Sequence, residues 1–128
     1  MKKILLVEDD RFLSSILAGS FRDALYDVIC AYDGDSAVAR AIERHFDIIL
    51  LDILLPGKDG FEVLQIVKSL DATKQIPVIV ISNLSDEKSI ERMKQGGAAS
   101  YVVKAHTTPQ LLIEEIKKVL APPAALAA

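Results

Sequence analysis

The sequence predicts an α/β protein in which helices cover both faces of a parallel β-sheet. Short apolar runs alternate along the chain with longer segments in which apolar residues recur at helical spacing, as is typical of parallel sheets. The run of residues 48–55 contains one charged residue, Asp52, and otherwise shows the unbroken apolar pattern of a strand buried on both faces. With 128 residues, 51% of them hydrophobic, the chain can form one domain around a core of its own.

Five strands are predicted from short, largely apolar runs bounded by charged or turn-forming residues. They cover residues 3–7, 27–31, 47–51, 78–81 and 101–104. Pro77 immediately precedes the fourth strand, a position at which a missing backbone N–H is tolerated.

Five helices are predicted between and after the strands, over residues 11–25, 36–44, 61–69, 86–95 and 109–120. The apolar stripe of the first helix consists of Leu13, Ile16, Leu17, Phe21 and Leu25. Gly96 and Gly97 predict the end of the fourth helix, and Thr108 followed by Pro109 predicts the start of the fifth. Residues 1–120 are predicted to form the domain, and the alanine- and proline-rich residues 121–128 a tail or the start of a linker.

The composition argues against several classes of protein. A formal net charge of −3 gives no general reason to bind nucleic acid, and no apolar stretch is long enough to cross a bilayer. Residues 1–3 lead directly into the first strand rather than into a signal peptide. The single cysteine, Cys30, is expected to be a small buried hydrophobic residue and not part of a disulfide. We therefore expect a cytoplasmic protein that binds neither membranes nor, directly, nucleic acid.

Acidic residues follow two of the predicted strands. An ionised carboxylate such as Asp52 is unfavourable among apolar neighbours unless it is paired, hydrogen-bonded or metal-bound. Glu8 and Asp9 follow the first strand, and Asp10 beside them is expected to cap the first helix. Carboxylates gathered at strand ends repel one another, and a hard cation with oxygen ligands would turn that repulsion into binding.

Two further polar side chains lie at strand ends, Ser82 after the fourth strand and Lys104 at the end of the fifth. Considered alone, Ser82 could simply start a turn, and Lys104 could simply be a solvated surface lysine. In an open α/β sheet, however, ligands bind outside the carboxyl ends of the strands. A cation site, an acceptor carboxylate, a hydroxyl and an ammonium at one edge together suit phosphoryl transfer.

Four segments of the chain strongly resemble the motifs of response-regulator receiver domains, the CheY-like family. They are residues 7–10 (VEDD), 51–60 (LDILLPGKDG), 81–83 (ISN) and 97–104 (GAASYVVK). Their order and spacing agree together, and the resemblance extends from residue 3 to residue 120. With the alternating pattern, it implies the flavodoxin-like fold, a doubly wound five-stranded parallel sheet of order 2-1-3-4-5 with five helices.

The resemblance also implies a role for each residue of the cluster. Asp52 would be the phosphoryl acceptor, and Ser82 and Lys104 would bind the phosphoryl oxygens. A Mg²⁺ site would consist of Glu8, Asp9, Asp52 and the main-chain oxygen of Leu54. Tyr101 would be the aromatic residue of the switch and would follow Ser82 when it moves.

The function implied is that of a phosphorylation-driven switch in two-component signalling, not of a metabolic enzyme. A histidine kinase or phosphotransfer protein would supply the phosphoryl group, although the protein could also phosphorylate itself from small phosphodonors. The surface of the fourth helix, fifth strand and fifth helix would then change its affinity for an output partner, in a monomer or a weak phosphorylation-dependent dimer. Autodephosphorylation should be slow, because Leu54 and Leu84 flank the path of water and cannot orient it.

Two residues depart from the family pattern. Proline usually follows the lysine, often after a cis bond, but here Ala105 follows Lys104. A trans bond is predicted, because a cis bond before a residue other than proline costs about 3–4 kcal/mol. The residue after the hydroxyl residue is usually very small, but here it is Asn83, which would narrow the route of the phosphodonor. Both changes could alter rates, and neither removes a reacting group.

Three other classes of protein fit parts of this pattern. A phosphohydrolase of the haloacid dehalogenase type needs a second acid two residues after its nucleophile, where this chain has Leu54. A flavodoxin-like FMN protein needs hydroxyls and amides in its first loop, where the acidic residues 8–10 would repel a phosphate. A degenerate receiver, which binds partners without phosphorylation, is disfavoured because the reacting residues are all present, but Asn83 and Ala105 leave it open.

Overall fold

The computed structural model describes residues 1–121, which form five strands, five α-helices and one turn of 3-10 helix. The strands are β1 (Lys3–Val7), β2 (Asp27–Ala31), β3 (Ile48–Asp52), β4 (Val78–Ser82) and β5 (Ser100–Val103). The helices are α1 (Arg11–Asp23), α2 (Gly34–Glu43), α3 (Gly60–Ser69), α4 (Glu87–Gln95) and α5 (Pro109–Leu120). The 3-10 turn, Lys104–His106, joins β5 to α5. Every predicted strand and helix is therefore present.

The five strands form one parallel sheet of order β2-β1-β3-β4-β5, which confirms the predicted topology. The chain runs from β1 outward to β2 and then crosses back to β3, so the strand order reverses between β1 and β3. Asp52 pairs with Ile81, and Ser82 pairs with Val103. The register therefore aligns the carboxyl ends of the strands beside the point at which ligands bind in such sheets.

Two hydrophobic cores lie on the opposite faces of the sheet. Every residue of β3 and β4 is buried, which explains their unbroken apolar runs. On one face α2, α3 and α4 contribute Ala41, Val67 and Met93, and on the other α1 and α5 contribute Phe21 and Ile116. Burial of each large apolar side chain contributes about 1.5–3 kcal/mol. The central strands are thus a firmly packed base for the residues at their carboxyl ends.

Each of the five helices begins at a side chain that accepts a hydrogen bond from a backbone N–H of the first turn. These N-cap residues are Asp10, Asp33, Asp59, Asp86 and Thr108. Each cap satisfies an N–H that the helix itself leaves unpaired. The predictions for Asp10 and Thr108 are confirmed. Gly97 after α4 has a φ of 99°, which confirms the predicted helix stop.

The end of α1 differs from the prediction. The helix ends at Asp23 with Ala24 as its C-cap, two residues before the predicted end. Leu25 has a φ of 71° and is 74% exposed, so it does not belong to the apolar stripe. The N–H of Tyr26 donates to the main-chain oxygen of Phe21 at 3.0 Å and turns the chain away from the helix axis. These backbone capping bonds override the apolar period at the helix end.

Other differences from the predicted elements are small. β3 and β4 include Asp52 and Ser82, which were expected to follow them, and α2 begins at Gly34, two residues earlier than predicted. Lys104 belongs to the 3-10 turn rather than to β5. Ile16, predicted on the buried stripe of α1, is 43% exposed, because the buried side of this helix is formed instead by Ser14, Leu17, Ala18 and Phe21.

Residues 122–128 of the predicted tail lie outside the described residues, so the division into a domain of residues 1–120 and a tail stays a prediction. Within residues 1–121, no helix has the length and apolar character needed to cross a membrane. Cys30 is a free thiol, partly buried against the core formed with α1 and α5.

Candidate functional site

The predicted site residues meet at the carboxyl edge of the sheet, beside the point where the strand order reverses. Glu8 follows β1, Asp52 ends β3, Ser82 ends β4 and Lys104 follows β5. Parallel pairing brings these strand ends side by side. The sheet therefore gathers at one edge residues that lie far apart in the sequence.

Three carboxylates form a cluster at this edge. One oxygen atom from each of Glu8, Asp9 and Asp52 lies within 4.8 Å of the others. Glu8 and Asp52 are only 1% and 3% exposed, whereas Asp9 is exposed. Mg²⁺ binds few protein carboxylates and keeps several waters. A donor set made only of oxygen, open to solvent on the side of Asp9, fits that ion.

Lys104 compensates the charge of the two buried carboxylates. Its Nζ lies 2.7 Å from Oε2 of Glu8 and 2.7 Å from Oδ2 of Asp52. It donates a hydrogen bond to Asp52, whereas the contact with Glu8 is an ion pair outside ordinary hydrogen-bond angles. The Lys104 side chain is 21% exposed, so solvent screens these interactions only partly. Removing either partner would leave an uncompensated buried charge.

The pKa values of Glu8 and Lys104 both depart from their ordinary values. Burial raises the pKa of Glu8, Lys104 opposes that rise, and the nearby charge of Asp52 adds to it. Burial by itself would lower the pKa of Lys104, but its contacts with Asp52 and Glu8 outweigh burial and raise that pKa. Lys104 therefore stays charged at neutral pH and makes the buried acids tolerable.

Backbone N–H groups orient both buried carboxylates. The N–H of Leu54 donates to Oδ1 of Asp52 at 3.2 Å, and the N–H of Asp10 donates to Oε1 of Glu8 at 3.1 Å. In both cases the donor lies two residues after the acid, the arrangement of a side-chain turn. The backbone N–H of Leu54 therefore lies at the edge of the cluster, while the residue as a whole is 62% exposed.

The loop between β3 and α3 is held against the start of α2 by contacts that were not predicted. Nζ of Lys58 lies 2.6 Å from Oδ1 of Asp35. A Cβ atom on Gly34 would lie 2.0 Å from the main-chain oxygen of Lys58, and one on Gly60 would lie 2.5 Å from that of Asp52. Only glycine fits such close backbone approaches. The glycines were the one sequence signal for this packing, because no local pattern pairs Asp35 with Lys58.

Ser82 and Tyr101, the two residues predicted for the switch, both contact Leu84. The buried hydroxyl of Ser82 accepts a hydrogen bond from the N–H of Leu84 at 3.2 Å. The hydroxyl of Tyr101 donates to the main-chain oxygen of Leu84. Burial raises the pKa of Tyr101, which keeps its hydroxyl protonated. The loop after β4 thus connects the two residues.

The peptide bond between Lys104 and Ala105 is trans, as predicted, and no bond within residues 1–121 is cis. The N–H of Ala105 donates to Oδ1 of Asn83 at 3.0 Å. The two residues that depart from the family pattern are therefore in direct contact.

Comparison with known proteins establishes the family. The family model of the response regulator receiver domain matches residues 4–117, nearly all of the described chain. The chain belongs to this family. The match decides against the phosphohydrolase and FMN-binding alternatives.

Solved structures of receiver domains are similar to this chain throughout. The chemotaxis protein CheY4 of Vibrio cholerae is 29% identical, with a TM-score of 0.88 over 94% of this chain and 99% of that chain. The receiver domain of a signal transduction histidine kinase from Syntrophus aciditrophicus is 27% identical, with a TM-score of 0.85 over 94% and 90%. The receiver domain of a sensor histidine kinase from Pseudomonas aeruginosa is 25% identical, with a TM-score of 0.85 over 93% and 97%. In that protein a magnesium ion is coordinated in the active-site cleft.

This receiver domain therefore belongs to two-component signalling, in which receivers work with histidine kinases and output domains. Receiver domains are signalling switches rather than metabolic enzymes. The acidic pocket of the chain is compatible with a Mg²⁺ and phosphoacceptor site.

Proposed function

We propose that this receiver domain accepts a phosphoryl group on Asp52 from a histidine kinase or a histidine phosphotransfer protein, in a Mg²⁺-dependent reaction. The position of Asp52 is the observation that carries the proposal. Its buried carboxylate lies at the carboxyl edge of the sheet, with the carboxylates of Glu8 and Asp9 and the ammonium of Lys104 around it. Phosphoryl transfer depends on positioned charges of these kinds.

In the proposed reaction a carboxylate oxygen of Asp52 attacks the phosphorus atom of a phosphohistidine. The bond from phosphorus to the imidazole nitrogen breaks and its electron pair returns to the nitrogen, which leaves an aspartyl phosphate and a free histidine. Lys104, whose Nζ is already 2.7 Å from Oδ2 of Asp52, would bind one phosphoryl oxygen. The hydroxyl of Ser82 would bind another.

Glu8, Asp9, Asp52 and the main-chain oxygen of Leu54 would hold the Mg²⁺. When bound, the ion supplies positive charge that offsets the carboxylates and the phosphoryl oxygens. Glu8 is already oriented by the N–H of Asp10, and Asp52 by that of Leu54, so two ligands are preorganised. The exposed Asp9 leaves space for water ligands.

Phosphorylation would reach the surface of α4, β5 and α5 through Leu84. Movement of Ser82 toward the phosphoryl group would weaken its hydrogen bond with Leu84 and shift the loop after β4. Tyr101 would follow, because its hydroxyl is bound to the main-chain oxygen of Leu84. Tyr101 belongs to β5, on which α4 packs, so the surface presented to an output protein or domain would change. We expect a monomer or a weak dimer that forms on phosphorylation.

Intact-protein mass spectrometry after incubation with acetyl phosphate and Mg²⁺ tests this function. The wild type should gain the mass of one phosphoryl group, chelation of Mg²⁺ should prevent the gain, and Asp52→Ala should abolish it. Asp47→Ala is the matched control, because Asp47 immediately precedes the opposite end of the same strand, and it should be phosphorylated like the wild type. A wild type that gains no mass would indicate a degenerate receiver. A gain in Asp52→Ala would place the acceptor elsewhere.

A further inference from the structure

A hydrogen bond between Asn83 and Ala105 joins the two loops that follow Ser82 and Lys104. The ladder between β4 and β5 ends at the pair of Ser82 and Val103. Oδ1 of Asn83, one residue beyond that pair on one strand, accepts the N–H of Ala105, two residues beyond it on the other, at 3.0 Å. A side-chain carbonyl thus continues the connection between the two strands past the end of the sheet.

This hydrogen bond restrains the backbone that carries Lys104. Ala105 is the residue directly after Lys104 in the 3-10 turn, so the position of its N–H fixes the peptide on which the lysine side chain stands. β5 is one of the two edge strands of the sheet, and none of its residues is buried, whereas every residue of β3 and β4 is. Packing therefore restrains the end of β5 less than the strand ends that carry Asp52 and Ser82.

We propose that Asn83 is a positioning residue, which holds Lys104 at the correct spacing from Ser82 so that both meet the same phosphoryl group. The inference rests on the proposed function, because that spacing matters only if a phosphoryl group binds between the two residues. Asn83 acts through the backbone of Ala105 and not on the reacting atoms. A single exposed hydrogen bond limits the expected effect on the rate to about 3- to 10-fold.

The test is the rate of phosphorylation by acetyl phosphate over a range of donor concentrations at saturating Mg²⁺. Asn83→Ala removes the acceptor of the hydrogen bond, and Ala105→Pro removes the donor, because proline has no backbone N–H. Each should lower the maximal rate about 3- to 10-fold and leave the donor concentration at half-maximal rate unchanged. The double variant should be no slower than the slower single variant, since both changes break one bond.

Two further measurements separate positioning from a general effect of the loop. Ser85→Ala is the matched control, because Ser85 is an exposed polar residue of the same loop, whereas the N–H of Ala105 donates to Asn83 and not to Ser85. Ser85→Ala should be phosphorylated at the rate of the wild type. Hydrogen exchange of the Ala105 amide, followed by NMR, should be faster in Asn83→Ala. It should stay close to the wild-type rate in Asn83→Asp, which keeps an acceptor oxygen.

Three results would overturn the inference. Faster phosphorylation of Asn83→Ala, with a lower half-saturating donor concentration, would show that Asn83 obstructs the donor. Additive losses in the double variant would show that Asn83 and Ala105 act separately. Equal rates for the wild type and Asn83→Ala would exclude positioning and leave the proposed function intact, whereas a wild type that takes no phosphoryl group would overturn both.

Discussion

Replacement of Lys104 by methionine should destabilise the protein strongly in the absence of Mg²⁺ and weakly in its presence. The ammonium lies 2.7 Å from an oxygen of Glu8 and 2.7 Å from one of Asp52, and both acids are buried. Removing one partner of a buried ion pair typically costs about 3–5 kcal/mol. The two carboxylates, within 4.8 Å of each other, would also repel by roughly 3 kcal/mol at an effective dielectric constant of about 20.

Protonation of Glu8, whose pKa is already raised, would relieve part of this repulsion. We therefore expect Lys104→Met to lower the free energy of unfolding by roughly 3 kcal/mol in a metal-free buffer, at the lower end of the range for broken buried pairs. Mg²⁺ should restore most of the loss, because a ligand at about 100 times its Kd stabilises a folded protein by about 2.7 kcal/mol. The wild type should gain less from Mg²⁺, because Lys104 competes for the same oxygens.

Urea unfolding followed by circular dichroism, once with a chelator and once with excess Mg²⁺, measures both effects. Lys68→Met is the matched control. Lys68 is also partly buried, but its Nζ donates to the main-chain oxygens of Ile76 at 2.7 Å and Lys74 at 3.2 Å, which are uncharged. Its loss should therefore be the same in both buffers. An equal loss in both buffers for Lys104→Met as well would refute the reasoning, because it would show that the lysine stabilises the fold by packing and not by charge.

Three further predictions concern single residues. Without metal, the free energy of unfolding of the wild type should rise relative to that of Glu8→Gln as the pH falls from above the raised pKa of Glu8 to the ordinary pKa of a glutamate. The reason is that the folded protein binds the Glu8 proton more tightly than the unfolded chain does. Urea unfolding at a series of pH values that shows no such rise would contradict the prediction. Leu25→Gly should raise the free energy of unfolding by about 1 kcal/mol, since an exposed leucine with a φ of 71° is strained. An unchanged midpoint of thermal unfolding would contradict this prediction. Leu54→Asn and Leu84→Glu should each accelerate loss of the phosphoryl group about 10-fold or more after donor removal. If the wild type loses its phosphoryl group as fast as these two variants do, the leucines do not limit the attack of water on the aspartyl phosphate.

The sheet and its helices were predictable because local patterns determine them. Apolar runs, capping residues and glycines each indicate one element. Right-handed crossovers restrict the topology but leave more than one strand order, so the order 2-1-3-4-5 was predicted from the resemblance to receiver domains. The prediction failed at the end of α1, where Leu25 continues the apolar period. The apolar period alone cannot show whether Leu25 is the last residue of the helix or lies in the turn after it, because a leucine at this position continues the period in both cases. Backbone hydrogen bonds decide between them.

The candidate site was predictable in part, because a charge in an apolar run requires compensation. Asp52 indicated by its position that partners had to come from other strands. The identity of the contacts depends on side-chain geometry across the sheet, so the bridge from Lys104 to both Glu8 and Asp52 was not predicted. Asn83 and Ala105 were each recognisable as unusual, but their hydrogen bond joins loops 22 residues apart and lies outside any local pattern.

Lys104 connects the two states of the proposed switch. In the structure its ammonium offsets part of the charge of the carboxylate cluster. Phosphorylation would remove the carboxylate charge of Asp52 but add a group that carries about −1.5 to −2 charges, so the negative charge at this edge would increase. The ammonium of Lys104 would exchange its contact with Oδ2 of Asp52 for a contact with the more highly charged phosphoryl group, which would be attached to one of the two carboxylate oxygens of Asp52. A lysine that is paired before the reaction stabilises the unphosphorylated pocket and needs little rearrangement to stabilise the phosphorylated one. In the proposed arrangement its position depends on the turn that Asn83 holds, so substitution of Asn83 or Ala105 is expected to change the rate without removing a reacting group.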